Sequence, residues 1–283
     1  VTDASFSGAD VQLVELNQDH PGFNDPAYRR RRDEIAVLAS RYVAGGPIED
    51  VPYNEGEQSV WRAIWSRLAS LHETFACAKF LEALEIVDFD HDHIPSFEAI
   101  NARLQPRQGF SLAPVAGLVL PETFLEQLGH KRFLATQYMR HASQPLYTPE
   151  PDVVHEYIGH VPMLSHPELA ELNHAFGRAS RRANAEEIAA LIRVYWYTIE
   201  FGLLEEDGQT KVYGAGILSS FGEIQRYEQA QLRRFDLEVM ARTPFDPTTY
   251  QAQLFVAPPY ATMRDALLGW LDAIGRGSSI AQA

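Results

Sequence analysis

Two histidines five residues apart, in Asp152-Val-Val-His155-Glu156-Tyr-Ile-Gly159-His160-Val-Pro162, are the side chains of this sequence best suited to chemistry. Neutral imidazoles ligate divalent metals, and a short proline-bounded segment holding two of them beside an acid reads as a metal site. Asp152 is a capping residue type, so a helix is expected to start there with His155 and Glu156 in its first turns. On a straight α-helix, five steps of about 100° leave His155 and His160 roughly 140° apart, too far round to share an ion. Gly159 and Pro162 are therefore expected to stop the helix around His160, so that an unwound end brings the second imidazole back. The spacing H-E-x-x-x-H is one residue longer than the H-E-x-x-H of zinc peptidases, and that motif's geometry and catalytic glutamate do not transfer. Two hydrogen-bonded histidines at a helix end are the alternative.

A third ligand is offered by Tyr195-Trp196-Tyr-Thr-Ile-Glu200-Phe201-Gly. An ionised carboxylate between Ile199 and Phe201 is costly to bury unless it is paired or coordinates a cation. Two imidazoles and one carboxylate make a facial triad that leaves three positions open on iron(II), which suits oxygen activation better than a closed structural zinc site. A buried ion pair from Glu200 to Arg140 or Arg193 is the competing explanation. Arg140 itself lies among apolar and aromatic neighbours and needs an anion. The α-carboxylate of an amino acid would fit its planar fork, and an internal acid such as Glu150 would serve as well.

These segments recur in a longer order: Asp19-His-Pro-Gly-Phe-Asn-Asp-Pro-Ala-Tyr-Arg29, Pro114-Val-Ala-Gly-Leu118, Thr136-Gln-Tyr-Met-Arg-His141, Tyr147-Thr-Pro-Glu-Pro-Asp-Val-Val-His-Glu156, Tyr195 to Gly202, and Tyr213-Gly-Ala-Gly-Ile-Leu-Ser-Ser-Phe-Gly-Glu223. In them the chain resembles the catalytic domain of the pterin-dependent aromatic amino acid hydroxylases, most nearly the short bacterial members that act on phenylalanine. The resemblance implies a mainly α fold with a few short β-strands and iron in a cleft. It implies iron(II), a tetrahydropterin and O2 as reactants, and His155, His160 and Glu200 as catalytic metal ligands. A flat pterin needs an aromatic face to stack on and backbone amides along its edge. The resemblance gives the stacking to Phe124, the edge to the backbone around Gly117 and Val119, and a facing position to Glu156. It gives the substrate carboxylate to Arg140, with Tyr147 and Thr148 bordering that site, Trp196 and Phe201 beside the aromatic ring, and Ser219 supporting the substrate or His155. Pro121 and Leu134 depart from the residues common in the family.

The implied reaction is ring hydroxylation of an aromatic L-amino acid, L-phenylalanine to L-tyrosine, with one oxygen atom going to the ring and one to the pterin. Trp196 favours a single ring, since tryptophan hydroxylases tend to have phenylalanine there. A relative acting on tryptophan or at the meta position, a non-catalytic metal-binding relative, and a zinc hydrolase using Glu156 as base are the alternatives. Longer relatives carry a regulatory domain and an assembly helix, so a monomer is expected.

The elements that must position these residues are mostly helical. At 283 residues the chain can form one large core, expected as a catalytic domain over 19–275 between a loosely attached arm, 1–18, and a tail, 276–283. No run reaches the ~18 apolar residues of a membrane span and no basic-then-apolar leader opens the chain, so a cytoplasmic protein is expected. A net charge of −14 argues against nucleic acid. The single cysteine, Cys77, excludes an intrachain disulfide and is expected to be a buried, inert thiol on a helix. Asp25-Pro26 opens a helix to Tyr42, and the period of Trp61, Ile64, Trp65, Leu68, Leu71, Phe75, Phe80 and Leu84 predicts one long helix over 59–87. The tract Asp88 to His93 has metal-binding composition but reads as a solvated loop. Gly109 to Leu120 reads as loop with short extended pieces, and Pro121 opens a brief helix that Gly129 closes. Asn184 and Glu187 make a capping box for the helix bearing Glu200, on which Trp196 and Glu200, four apart, share a face. Glu206-Asp-Gly208 turns a short hairpin, Gln253 to Ala257 forms a strand, and Met263 to Ile274 a last helix.

Overall fold

The computed structural model describes residues 11–12, 16, 18, 20–148 and 150–276; most of the expected arm and nearly all of the expected tail lie outside them. It is mainly helical. Strand β1 (Val11–Gln12) precedes helices α1 (Pro26–Ser40), α2 (Glu55–Phe75), α3 (Ala78–Val87) and α4 (Phe97–Gln108). Strands β2 (Ser111–Pro114) and β3 (Leu118–Val119), helix α5 (Pro121–Gly129) and strand β4 (Arg132–Ala135) follow. The site-bearing half holds α6 (Val161–Ser165), α7 (Pro167–Ser180), α8 (Ala185–Tyr195), β5 (Leu203–Glu206), β6 (Gln209–Val212), α9 (Ala215–Leu218) and α10 (Phe221–Ile224). It ends in β7 (Gln231–Arg234), α11 (Leu237–Met240), β8 (Gln253–Ala257) and α12 (Tyr260–Ala273). Among the described residues no helix is long and apolar enough to cross a membrane.

Local chemistry accounts for most boundaries. Asp25 accepts from the amides of Ala27 and Tyr28 at the start of α1, and Asn184 and Glu187 form the reciprocal box that opens α8. Asp207 and Gly208 both take positive φ, 51° and 75°, as the tight turn between β5 and β6 requires. That hairpin joins β8 and β7 in a sheet of order β6-β5-β8-β7 whose other pairings are parallel. Two small pairs complete the strands: β2 runs parallel to β4, and β1 lies antiparallel to β3, Val11 opposite Val119.

The expected single helix over 59–87 is in fact two. Ala76 and Cys77 are extended, the Cys77 amide donates to Val212 O at 2.9 Å, and the Glu206 carboxylate receives the first amide of α3 at 3.0 Å. The apolar period runs through the break because α2 and α3 face one core, where Trp61, Leu68, Phe80 and Ala83 are all inaccessible to solvent. Cys77 therefore caps α3 instead of lying within a helix, and burial pushes its thiol up to about 12, which leaves it unreactive. The Asp88–His93 tract is a loop whose polar residues are exposed while Phe89 is buried in the core; Asp90 holds His93 and His91 stacks on Trp65.

His72 on α2 is fully enclosed, and its Nε2 lies 2.7 Å from Leu218 O at the end of α9. Burial lowers the imidazole to about 4, so it stays neutral at pH 7 and donates that proton to the carbonyl. The unfolded chain binds the proton near pH 6.5 and the folded chain only near 4, so stability must fall as pH drops across that window, by roughly 3 kcal/mol in full. Urea unfolding of wild type and His72→Phe at intervals from pH 7 to 4.5 should show a shallower loss in the variant; parallel curves would contradict this account.

Candidate functional site

The two histidines are brought together by a helix that changes pitch. Asp152 does begin it, with its Oδ1 accepting from the His155 amide at 3.1 Å. From His155 to His160 the backbone then takes a π-helical turn, in which the Val161 amide bonds to Glu156 O, five residues back. An i to i+5 closure puts residues five apart on one face, as α-helical closure does for residues four apart. His155 and His160 therefore face each other with Nε2 atoms 3.0 Å apart. This corrects the expectation of a stop at Gly159 and Pro162: the helix continues without unwinding through α6. Pro162 lies within this continuous helix, two residues past the π-helical turn. Gly159 is needed for a close approach, since a Cβ there would lie 2.8 Å from Ala215 O.

That approach delivers Ser219, just beyond α9, to the first histidine. Ser219 Oγ donates to Ala215 O at 2.7 Å and lies 2.9 Å from His155 Nδ1. Its remaining lone pairs accept the Nδ1 proton, which leaves Nε2 of His155 bare toward the centre. Burial, followed by the neighbouring His160, pushes His155 down to about 4, so it is neutral at pH 7.

The second bearing segment, Trp196–Glu200, is also a π-helical turn, appended to α8 and closed by Phe201 N–H to Trp196 O at 2.8 Å. Trp196 and Glu200 both line one cavity, and the π-turn also brings Trp196 against Phe201, five apart, with ring centroids 4.5 Å from each other. Glu200 Oε1 lies 3.1 Å from His160 Nε2, and Oε2 lies 3.6 Å from His155 Nε2. Burial alone would raise Glu200, but the two imidazoles outweigh it and hold the carboxyl below its ordinary value. Neither arginine considered as its partner takes that role: Arg140 bonds Asp152 and Arg193 bonds Ala241 O.

The three donors fit a metal. Two ligand atoms each about 2.1 Å from an ion are ~3.0 Å apart when they subtend a right angle, and ~3.4 Å apart at a tetrahedral angle. The separations of 3.0 and 3.1 Å about His160 are those of adjacent octahedral positions, while the 3.6 Å between His155 and Glu200 is wider than a right angle gives. Among the described residues this is the one group of His, Cys, Asp or Glu gathered closely enough for an ion. Glu156 is not part of it. Its Oε1 accepts from Thr136 N and Oγ1 at 3.0 and 3.1 Å, and burial raises its carboxyl to about 7.

The centre opens into a cavity of about 780 Å³, and every residue assigned a site role from sequence lines it. Gly117, Val119 and Phe124 form one part, with Phe124 held edge-on to Phe133 and Tyr195. Arg140, Tyr147 and Thr148 form another, Tyr147 being exposed at the rim. The internal acid on Arg140 is Asp152, not Glu150: Nε and Nη2 donate to Oδ2 and Oδ1 at 2.9 and 2.8 Å. Glu150 is occupied by Arg32, at 2.7 and 3.1 Å, and by His20. The pair with Asp152 uses one edge of the guanidinium. Nη1 takes no part in it, and Arg140 lines the cavity. Sequence reasoning missed the pairing role of Asp152, the hold of Thr136 on Glu156, and Phe245, which stacks on Trp196 at 4.2 Å and 11°. Only Asp152 carried a signal, as an acid twelve residues from a buried arginine.

With this geometry in place, comparison with known proteins identifies the group. The model of the biopterin-dependent aromatic amino acid hydroxylase family matches residues 9–282. This chain belongs to that family. Tyrosine 3-monooxygenase of Mus musculus is 42% identical over 94% of the chain and 55% of its own length. Chloroplastic phenylalanine 4-monooxygenase of Pinus taeda is 44% identical over 82% of the chain and 65% of its own length. The chain thus spans little more than half of the mouse relative. The crystal structure of Chromobacterium violaceum phenylalanine hydroxylase with iron(III) and 7,8-dihydrobiopterin superposes with a TM-score of 0.71 at 34% identity. That match covers 78% of this chain and 82% of the other, and the mainly helical fold with few strands is that of the family's catalytic domain.

Cobalt(II) added to the metal-free protein should bind one equivalent with the weak visible absorption of a high-coordinate ion. His160→Ala and Glu200→Gln should each weaken binding more than about a hundredfold while far-ultraviolet circular dichroism is retained. An intense tetrahedral spectrum, or full binding in either variant, would contradict the triad.

Proposed function

We propose that this chain is the catalytic unit of an iron(II)- and tetrahydropterin-dependent monooxygenase that converts L-phenylalanine to L-tyrosine. The observation that carries the reading is a two-histidine, one-carboxylate set with right-angle spacing about His160, in the same cavity as an arginine edge and an aromatic shelf. Membership of the family and the phenylalanine hydroxylases among its relatives support the same conclusion. When bound, iron(II) would activate O2 and the reduced pterin would supply two of the four electrons that splitting it takes, the other two coming from the ring that is hydroxylated.

The chain's own part is to bind, orient and exclude water. His155, His160 and Glu200 would hold the metal with one face open, and Ser219 fixes the His155 tautomer. Phe124 offers a face to a flat heterocycle, the strand at Leu118–Val119 offers backbone groups, and Glu156 offers a carboxyl whose orientation Thr136 sets. Arg140, braced on Asp152, grips the α-carboxylate, while Trp196 and Phe201 confine the ring. No protein general base is assigned, because ring attack by an electrophilic oxidant lets the ring proton leave late. Tyrosine is the second reading, favoured by the similarity to the mouse tyrosine 3-monooxygenase. An apolar pocket rejects one added hydroxyl by only about a hundredfold.

Oxygen uptake with reduced pterin and each aromatic amino acid, with products resolved by chromatography, should be fastest with phenylalanine and yield tyrosine. Faster turnover of tyrosine or tryptophan, or a meta-hydroxylated product, would overturn the substrate assignment. Arg140→Lys keeps the charge but loses the planar fork, so KM for the amino acid should rise at least tenfold with the pterin KM little changed. An unchanged amino acid KM would make Arg140 purely structural. Trp196→Phe opens the wall and should raise tryptophan turnover relative to phenylalanine in a competition assay; an unaltered ratio would remove Trp196 from substrate choice.

A further inference from the structure

Gln251, just before β8, is a buried glutamine whose amide is fully engaged. Its Oε1 accepts from Trp196 Nε1–H at 2.9 Å, and its Nε2 donates to Asp246 O and Thr249 O, each at 3.0 Å. An indole N–H can only donate and carbonyls can only accept, so the partners themselves fix which way the amide points. Its backbone N–H donates to Glu223 Oε1 at 3.0 Å, which ties the same residue to α10.

The segment that this amide holds is irregular, with Phe245 edge-on to Tyr197 and Tyr250 under the Arg226 guanidinium. Residues 244–250 carry no helix or strand and only one tight turn, at Pro247–Thr248. Tyr197 bonds Pro244 O at 2.7 Å at one end, and Asp246 closes a local turn on Thr248. Yet Phe245, Pro247, Thr248, Thr249 and Tyr250 all line the cavity. Phe245 lies flat on the indole of Trp196 while Gln251 holds its N–H, so the face and the edge of that ring are both fixed from this one segment.

We propose that Gln251 is a positioning residue that fastens the Phe245–Tyr250 wall to Trp196 and thereby sets the size of aromatic side chain the cavity admits. The inference rests on the reading of the cavity as an aromatic amino acid site. Gln251→Glu has the same size and keeps an acceptor for Trp196, but it sets an oxygen where the two carbonyls need a donor. Gln251→Asn keeps the amide and is one methylene too short to span all three partners.

The test has two arms. In the first, metal-free wild type and both variants are digested with chymotrypsin, which cuts after Phe and Tyr. Cleavage after Phe245 or Tyr250 should be at least tenfold faster in Gln251→Glu, with each protein digested well below its own thermal midpoint. In the second, on iron-loaded protein, the ratio of kcat/KM for tryptophan to that for phenylalanine should rise at least fivefold. That change should come through the amino acid KM, with the pterin KM unmoved. Should Gln251→Glu fail to fold, Gln251→Asn is expected to show both effects at smaller size. Unchanged cleavage in the folded variants overturns the clamp, and faster cleavage with an unchanged ratio overturns the role in substrate choice. A wild type that turns over no aromatic amino acid would sink the functional reading instead, and the digestion arm would then decide the clamp by itself.

Discussion

The i to i+5 closure of two short helical segments is the constraint on which the site depends. Residues five apart cannot share an ion on an α-helix, and in this chain the two histidines are five apart. The π-helical turn at His155–His160 removes the conflict, and a second one at Trp196–Glu200 presents the third ligand. Such turns are rare because they pack less well than α-helix, so the surroundings must hold them. On the side away from the metal, Tyr157 and Ile158 are inaccessible to solvent, Tyr157 reaches Pro95 O at 2.8 Å, and its ring meets Trp61 edge-on. On the other side, Gly159 admits α9 to contact distance. Core packing thereby maintains a backbone that local preference alone would wind back to α-helix.

Buried charge is arranged around this turn in two connected pairs. Asp152 accepts from Arg140 through its side chain and main chain and also from the His155 amide, so the start of the metal-bearing helix and the arginine of the cavity share one carboxylate. Glu150, two residues earlier, receives Arg32 from α1, whose guanidinium lies 3.8 Å over the Tyr138 ring. Removing one member of such a pair leaves a buried charge uncompensated, which is far costlier than the net worth of the pair itself. The segment bearing Tyr147 and Thr148 is therefore anchored at its C-terminal end by ions, where an irregular stretch has few backbone bonds to hold it.

What could be read from the sequence was whatever depends on near neighbours or on residue type. The caps at Asp25 and Asn184, the turn at Asp207-Gly208 and the inert Cys77 follow from local chemistry, and each is present. The ligand types were legible too, since an acid within Tyr195 to Gly202 has few other uses. The pitch change was hidden because Gly159 and Pro162 carry the signature of a helix end, whereas the helix runs on through both and Gly159 serves a close approach. The break at Ala76–Cys77 was hidden because both halves bury the same face, and the bond that replaces helical pairing comes from Val212. Gln251 was invisible for the same reason: its partner Trp196 is fifty-five positions away.

The most direct test of the central claim is the position of the metal itself. Crystals grown with iron(II) under anaerobic conditions and measured on both sides of the iron absorption edge should show one anomalous peak. It should lie about 2.1 Å from His155 Nε2, His160 Nε2 and a Glu200 oxygen, with the i to i+5 bonds of both turns intact. A peak bound by only one of the histidines, or a metal held after either turn has rewound to α-helix, would contradict the account.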